Sequence, residues 1–175
     1  MTTNPMKQLS LLLHLFLLII IVSACSSIDP ARQLEKGTPL AISVTTDDVL
    51  VTGDISQQTA RNFGRNVLKQ LMRGLEDRGI TYITYESAET LKERNATLKI
   101  DLTSVQAESK FDSGPFGTST KNIFRVSYTA TLTSVDGTRL FRFDGREKGK
   151  VLDELPLVVG RYVAKRVANY YRAEK

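Results

Sequence analysis

Side chains suited to covalent or acid–base chemistry are scarce in this 175-residue chain, which contains one cysteine and one histidine. The cysteine, Cys25, has no second cysteine with which to form a disulfide inside the chain. The histidine, His14, lies in an apolar run near the first residue. Nucleophiles activated by histidine and zinc sites built from nitrogen and sulfur ligands are therefore not expected. The sequence predicts no catalytic residue, no metal and no cofactor.

Cys25 follows a hydrophobic stretch and two small residues. The stretch from 9 to 22 is predominantly apolar, and it is shorter than the roughly 20 residues that a helix needs to cross a bilayer. It ends in Ser23-Ala24-Cys25, where small residues give a peptidase access to the chain. These features favour a signal peptide over residues 1–24. The alternative is a short uncleaved anchor with an inert cysteine.

The combination of an apolar run with Ser23-Ala24-Cys25 resembles the lipobox of bacterial lipoproteins. The resemblance implies removal of residues 1–24 and attachment of acyl chains, palmitate among them, to Cys25. A non-acidic residue after the cysteine, here Ser26, implies export to the outer membrane, with the protein anchored at its periplasmic face. Each buried methylene contributes about 0.8 kcal/mol, so three acyl chains would hold the protein firmly on the membrane.

The charge balance restricts the remaining partners. The chain has a formal net charge of +5 and a pI near 9.4, with 25% charged and 41% hydrophobic residues, as is ordinary for a globular domain. This mildly basic balance favours anionic surfaces but provides no basic arm of the kind that binds nucleic acid. The predicted partners are the membrane, through Cys25, and an envelope protein or a second copy of the chain.

A predicted helix after residue 54 carries basic residues at every fourth position, namely Arg61, Arg65, Lys69 and Arg73. Residues four apart share one side of a helix, so these four cations, here named the basic ridge, lie in one row. One interpretation is a surface that contacts lipid headgroups or an acidic partner. The other is an ordinary solvated helix face, and the sequence leaves both open.

The segment from 111 to 117 joins two long predicted strands and carries two aromatic residues, Phe111 and Phe116. Exposed aromatic side chains near a hairpin tip are typical anchors for a partner. They can equally fold back as a small hydrophobic cluster. This segment is the predicted partner contact outside the lipid anchor.

Two competing functions use other residues. An envelope hydrolase that cleaves wall glycans needs two convergent carboxyl groups, and Glu86, Asp101 and Asp144 are candidates that the sequence does not pair. A small-ligand carrier needs an apolar void between the sheet and the helices. The stretch 145–150 has glycines and basic residues like a phosphate-binding loop, but it is one residue short and has Val151 where serine or threonine must hold magnesium.

The hydrophobic periods predict the elements in order. Residues 25–39 form a flexible tether, and strands follow over 40–44 and 49–52, joined by a hairpin turn at Thr46-Asp47-Asp48. A helix runs from an N-cap at Asp54 to Gly79, with Gly64 and Gly74 packed closely against a sheet. A strand covers 80–85 and a short helix 87–94. The remaining elements are a strand over 96–110 with a bulge near Thr103-Ser104, a strand over 122–135, a return strand after Asp136-Gly137 that frays from Gly145 onward, and a helix over 156–172.

This order predicts a single α+β domain over residues 40–175. It is a two-layer sandwich in which two amphipathic helices cover one face of a mainly antiparallel sheet. The other face, lined by Thr129, Thr131 and Thr133, meets water or a partner. The element order is similar to that of small periplasmic lipoprotein domains, such as activators of penicillin-binding proteins and curli-secretion lipoproteins. The resulting expectation is a non-catalytic binding or assembly domain that contacts another component of the cell envelope.

Overall fold

A computed structural model of the chain describes residues 33–84, 95–114 and 117–171. In this part, two helices pack on one face of a six-stranded open sheet, so the predicted two-layer α+β sandwich is confirmed. The strands are β1 (Leu40–Thr45), β2 (Leu50–Thr52), β3 (Tyr82–Thr84), β4 (Ala96–Gly114), β5 (Gly117–Thr133) and β6 (Arg139–Gly149). The helices are α1 (Gln57–Glu76) and α2 (Leu155–Ala168), and a 3-10 turn, Leu152–Glu154, leads into α2. The predicted helix over 87–94, Cys25 and Phe116 lie outside the described residues.

The strand order is β3-β1-β4-β5-β6, with β2 beside β4. The long pairs β4–β5 and β5–β6 are antiparallel, whereas β1 and β2 run parallel to β4. The hairpin predicted at Thr46-Asp47-Asp48 is therefore wrong, because the chain continues in the same direction on both sides of that turn. The predicted bulge in β4 is confirmed as a register shift between Leu102 and Ser104. A bulge bends its strand, and the break between β1 and β2 lies opposite it.

The long strands extend further than their sequence pattern indicates. β4 and β5 remain paired as far as Gly114 and Gly117, within the segment from 111 to 117 that is predicted to join the two strands. β6 continues to Gly149, so the predicted fraying from Gly145 is wrong. The predicted turn between β5 and β6 is confirmed, and there the Thr138 N–H donates to Asp136 Oδ1 at 2.9 Å.

The core lies between the helices and one face of the sheet. Alternate residues of the central strands are buried there, and the apolar faces of both helices pack against them. Its main members are Leu98, Ile100, Ala130 and Leu132 from the sheet, Phe63, Val67 and Leu71 from α1, and Val159, Val163 and Val167 from α2.

Helix α1 begins two residues later than predicted. Its N-cap is Ser56, whose Oγ accepts a hydrogen bond from the Thr59 N–H at 3.0 Å, and not Asp54. The Gln57 side chain donates to the Val49 carbonyl at 3.4 Å instead of completing a capping box. Beyond its last turn, Gly79 has a φ of +64°, the left-handed conformation that commonly ends a helix and that glycine adopts without strain.

Two helix glycines are sites of close packing. A Cβ at Gly64 would lie 2.5 Å from Thr46 Cγ2, so the predicted contact with the sheet layer is confirmed. Gly74 instead faces the second helix, since a Cβ there would lie 2.8 Å from the Cβ of Ala164. The second glycine therefore allows α1 and α2 to approach one another.

The described part of the predicted tether packs on the domain. Leu34 is 3% exposed, and its N–H donates to the Tyr170 carbonyl at 2.7 Å. The Tyr171 hydroxyl donates to the Thr38 carbonyl at 3.1 Å, and burial raises the pKa of Tyr171 to about 12. The packed domain thus includes residues that precede Leu40. Over the described ranges, we find no helix with the length and apolar composition required to cross a membrane.

Candidate functional site

The β4–β5 hairpin extends well beyond the rest of the sheet. The pairing of β6 with β5 stops at Phe124, and that of β2 with β4 stops at Gln106. Seven further pairs join β4 and β5, from Glu108↔Ile123 to Gly114↔Gly117. This two-stranded projection, residues 108–114 and 117–123, is here named the arm. At about 3.4 Å per residue it is roughly 24 Å long.

The arm is held at its base and presents an aromatic side chain further out. At the base, both Nε and Nη2 of Arg125 lie 3.1 Å from the Glu108 carboxylate, which is a bidentate ion pair. One pair further along, Ser109 Oγ donates to Asn122 Oδ1 at 3.0 Å. Phe111 is 76% exposed, the most exposed large hydrophobic residue among those described. Of the two aromatic residues predicted to contact a partner, Phe111 is therefore placed on a projecting, solvent-exposed ribbon.

The basic ridge lies on the solvent side of α1. Arg61, Arg65, Lys69 and Arg73 are all exposed, and within the described ranges no carboxylate lies within 4.0 Å of any of them. The one acidic residue in α1 is Glu76. Like charges four residues apart destabilise a helix by about 0.2–0.5 kcal/mol per pair. The ridge contains three such pairs, a cost that an anionic neighbour would offset.

The ridge starts at the end of the sheet from which the arm extends. Gly53, four residues before α1, has a φ of +75° and packs so closely on Ala107 that no Cβ fits between them. Ala107 is the last residue of β4 before the arm. The first turn of α1 therefore lies near the base of the arm, although the structure records no contact between Phe111 and the ridge.

Replacing Arg65 with glutamate tests the electrostatics of the ridge. The change converts two repulsions, with Arg61 and Lys69, into attractions, so we expect the free energy of unfolding to rise by about 1 kcal/mol at low salt. Urea denaturation measures the gain, which should shrink at high salt because exposed charges are screened. Arg65→Gln is the matched control and should give about half of the gain. An unchanged or lowered stability of Arg65→Glu would show that Arg65 already has a favourable partner.

The second face of the sheet is polar, and no described helix covers it. Thr129 lies at its centre, with Asp101 and Asp144 in register on the two neighbouring strands. Thr129 Oγ1 donates to Asp144 Oδ1 at 2.6 Å, and Lys99 Nζ lies 2.9 Å from Asp101 Oδ1. Two strand spacings put the carboxylates about 10 Å apart, close to the upper end of the range for inverting glycosidases, about 6.5–9.5 Å. The third candidate carboxyl, Glu86, lies outside the described residues.

Described residues line open grooves at two places on the surface. One, of about 300 Å³, lies on the polar face of the sheet and is lined by Gln106, Arg125, Val126, Ser127, Arg146, Glu147 and Lys148. The other, of about 550 Å³, lies along α1 and α2 and is lined by Gln70, Arg73, Gly74, Glu76, Asp77, Asp153, Glu154, Leu157 and Arg161. Both are lined largely by charged and polar residues, unlike the enclosed apolar void that a small-ligand carrier needs. Within the described ranges no three His, Cys, Asp or Glu residues come together in a group that could hold a metal ion.

An aromatic cluster, which the sequence analysis missed, lies between β6 and α2. The centres of neighbouring rings lie 5.1–5.6 Å apart, and the guanidinium of Arg166 lies 5.2 Å from the centre of the Phe143 ring. The members are Phe141, Phe143, Tyr162 and Tyr170. Tyr128 packs edge-on against Phe143, and its buried hydroxyl has no hydrogen-bond partner. Burial, together with the charge of Glu147, raises the pKa of Tyr128.

Arg125, Arg146 and Lys148 also come together on the polar face, which the sequence pattern did not predict. A signal existed, since Arg146 and Lys148 continue the outward alternation of Arg142 and Asp144. The glycines at 145 and 149 obscure it, because they leave no apolar side chain at the inward positions of this stretch.

The fold resembles that of solved proteins of low sequence identity. No family model and no curated protein matches the chain in sequence. A neuraminyllactose-binding hemagglutinin homolog from Helicobacter pylori superposes with a TM-score of 0.52 and 12% identity, covering 78% of this chain and 84% of that one. A PelC dodecamer from Paraburkholderia phytofirmans gives 0.49 and 16%, covering 81% and 93%, and a minor lipoprotein from Acinetobacter baumannii gives 0.39 and 10%, covering 75% and 87%. The first of these likenesses shows a shared fold.

Proposed function

We propose that the chain is a lipid-anchored, non-catalytic module that binds or assembles with another component of a bacterial envelope, and that the arm makes the principal contact. The single observation that carries this proposal is the projection of the arm, seven residue pairs beyond the sheet, with Phe111 exposed on it. A shared fold does not identify a function, whereas an exposed projecting surface is a feature that a partner can bind.

The physical reason lies in the stability of two-stranded ribbons. A two-stranded ribbon on its own is marginally stable in water. The described part of the arm has no strand paired to either of its outer edges, and unpaired edges readily accept a strand from another chain. Burying apolar surface stabilises a protein by about 25 cal/mol for each Å², and an aromatic side chain that stays exposed on such a ribbon does not provide this stabilisation. A partner that covers Phe111 and one arm edge would recover both contributions.

The anchor belongs to the same proposal. Cleavage after residue 24 and acylation of Cys25 would hold the module at the periplasmic face of the outer membrane, with the residues between Cys25 and the packed Leu34 serving as a short tether. The exposed cations of the basic ridge support a position beside anionic headgroups or an acidic partner. Self-association through the arms of neighbouring copies is one form of this assembly.

A photo-crosslinking residue placed at position 111 in cells tests the arm. We expect a crosslinked species of defined mass in the envelope fraction, because the side chain at this position would be covered by the partner. The matched control is position 135, where Val135 is 42% exposed in the β5–β6 turn at the other end of the sheet. The same product from both positions, or none from position 111, would contradict the proposal.

The anchor has an independent test. Cys25→Ser is expected to move the protein from the membrane fraction to the soluble periplasm, because the acyl chains have no other attachment. Mass spectrometry of the unaltered protein should find Cys25 as an acylated first residue. A serine variant that stays on membranes after washing at high salt would contradict the anchor while leaving the arm proposal intact.

The second candidate function is a carboxylate-based envelope hydrolase. The observation that favours it is the common row of Asp101 and Asp144 around Thr129 on the polar face. Both carboxylates already have partners within the sheet, since Asp101 pairs with Lys99 and Asp144 accepts a hydrogen bond from Thr129. The row also lies on an open face and not in a cleft. These two features favour a binding function over a hydrolase.

A further inference from the structure

The groove on the polar face of the sheet collects three cations from two adjacent strands. Arg125 of β5 is directly opposite Lys148 of β6, and Arg146 lies two residues before Lys148 on the same side. Like charges directly opposite one another destabilise an antiparallel pair. The arrangement therefore has an electrostatic cost that the fold alone does not explain.

Among the described residues, one of the three cations, Arg125, has an acidic partner. Glu108 holds the Arg125 guanidinium in a bidentate pair, which fixes its orientation and leaves further N–H groups to donate. Arg146 and Lys148 are exposed, and in the described ranges no carboxylate comes within 4.0 Å of either. The groove thus contains one preorganised guanidinium and two cations without counter-ions.

The remaining lining suits a polar ligand. Gln106 and Ser127 point to the same side as Arg125, because they share its alternation on β4 and β5. The side chains of Val126 and Glu147 belong to the opposite, helix-covered side, where Val126 is fully buried and Glu147 lies near Tyr128. The groove therefore presents three cations, an amide and a hydroxyl in about 300 Å³, enough for a group the size of a diphosphate or one sugar unit.

We infer that this groove binds an oxyanion carried by a saccharide, either a phosphoryl group or a uronate carboxylate. Guanidinium and ammonium groups match these oxyanions in charge and hydrogen-bonding geometry. Amide and hydroxyl groups at the rim are suited to the neighbouring sugar hydroxyls. The inference requires neither a partner on the arm nor the lipid anchor, so it stands apart from the proposed function.

Titration calorimetry on the full chain in a neutral detergent tests the site with two probes. Inorganic pyrophosphate represents the phosphoryl source, a trimer of galacturonic acid represents the carboxylate source, and maltotriose is the uncharged control. We expect one of the two anions to bind with 1:1 stoichiometry and maltotriose to show no heat of binding. The anion that binds more tightly identifies the source.

The variants test whether binding depends on the cations of the groove or on the overall positive charge of this face. Arg146→Gln combined with Lys148→Gln should weaken binding by about tenfold or more, because both cations without counter-ions are lost. The matched control is Arg142→Gln, an exposed cation on the same strand and the same face that does not line the groove, and it should change the affinity by less than about twofold. Equal weakening by Arg142→Gln, or no binding of either anion at millimolar concentration, would overturn the inference. All of these side chains are exposed, so circular dichroism should show unchanged folding.

Discussion

Gly145→Ala is expected to lower the free energy of unfolding by about 3 kcal/mol, because the new methyl group would occupy space filled by a buried ring. Tyr128 lies opposite Gly145 in the β5–β6 register and is 1% exposed. A Cβ at position 145 would lie 2.5 Å from both Cε1 and Oη of Tyr128, and closer still to Cζ. The ring cannot simply move away, since Phe143 packs against it with ring centres 6.1 Å apart. Thermal unfolding should show a fall of about 10 °C.

Two further variants identify the cause of that loss. Tyr128→Phe removes a hydroxyl that has no hydrogen-bond partner, so its effect should stay below about 1 kcal/mol. Gly145→Ala in a Tyr128→Leu background should be much less damaging than in the parent chain, because the smaller side chain leaves room for the methyl group. If both backgrounds lose the same stability, the ring is not the obstacle and the packing described here is wrong.

Gly160→Ala is expected to cost about 2 kcal/mol, even though alanine forms helices better than glycine by about 1 kcal/mol. A Cβ on Gly160 would lie 2.7 Å from the Cβ of Gln70 and 2.7 Å from the backbone nitrogen of Leu71. Backbone atoms cannot rotate away, so α1 and α2 would have to separate. Gly74 and Ala164 form a second close contact between the same helices, and it would open with the first.

Chemical denaturation of Gly160→Ala beside Lys165→Ala provides the comparison. Lys165 is exposed on the same helix, so its replacement should stay within about 0.5 kcal/mol. If Gly160→Ala is instead more stable than the parent chain by about 1 kcal/mol, the change reflects only the higher helix propensity of alanine. That result would mean that the two helices have room between them.

Local periodicity was sufficient to predict the helices and the long strands. Apolar residues every three to four positions, such as Phe63, Val67 and Leu71, predict a helix whose buried side follows directly from its geometry. Alternation through Tyr128, Ala130 and Leu132 similarly predicts a strand with one buried face. Strand ends were less predictable, because paired backbones continue through Gly114 and Gly149 where the side-chain pattern has already stopped.

Pairing between distant segments was not predictable from the pattern. Two short apolar segments with an acidic turn between them are typical of a hairpin, yet β1 and β2 both align with β4 in the parallel direction. The choice depends on backbone hydrogen bonds to a strand about fifty residues away, and side-chain periodicity carries no information on that partner. For the same reason, the sequence pattern predicts Arg61 and Phe111 as candidate partner contacts but does not predict that Arg125 lies beside Lys148.

The amino-acid sequence by itself determined the types of element, the amphipathic faces, the row of cations on α1 and the scarcity of histidine and cysteine, because these depend on neighbours within a few residues. Only the tertiary structure decided that β4 and β5 project as an arm, that the Tyr128 ring packs over Gly145, and that three cations lie in one groove. Each of these depends on strand register, which places residues together that lie far apart along the chain.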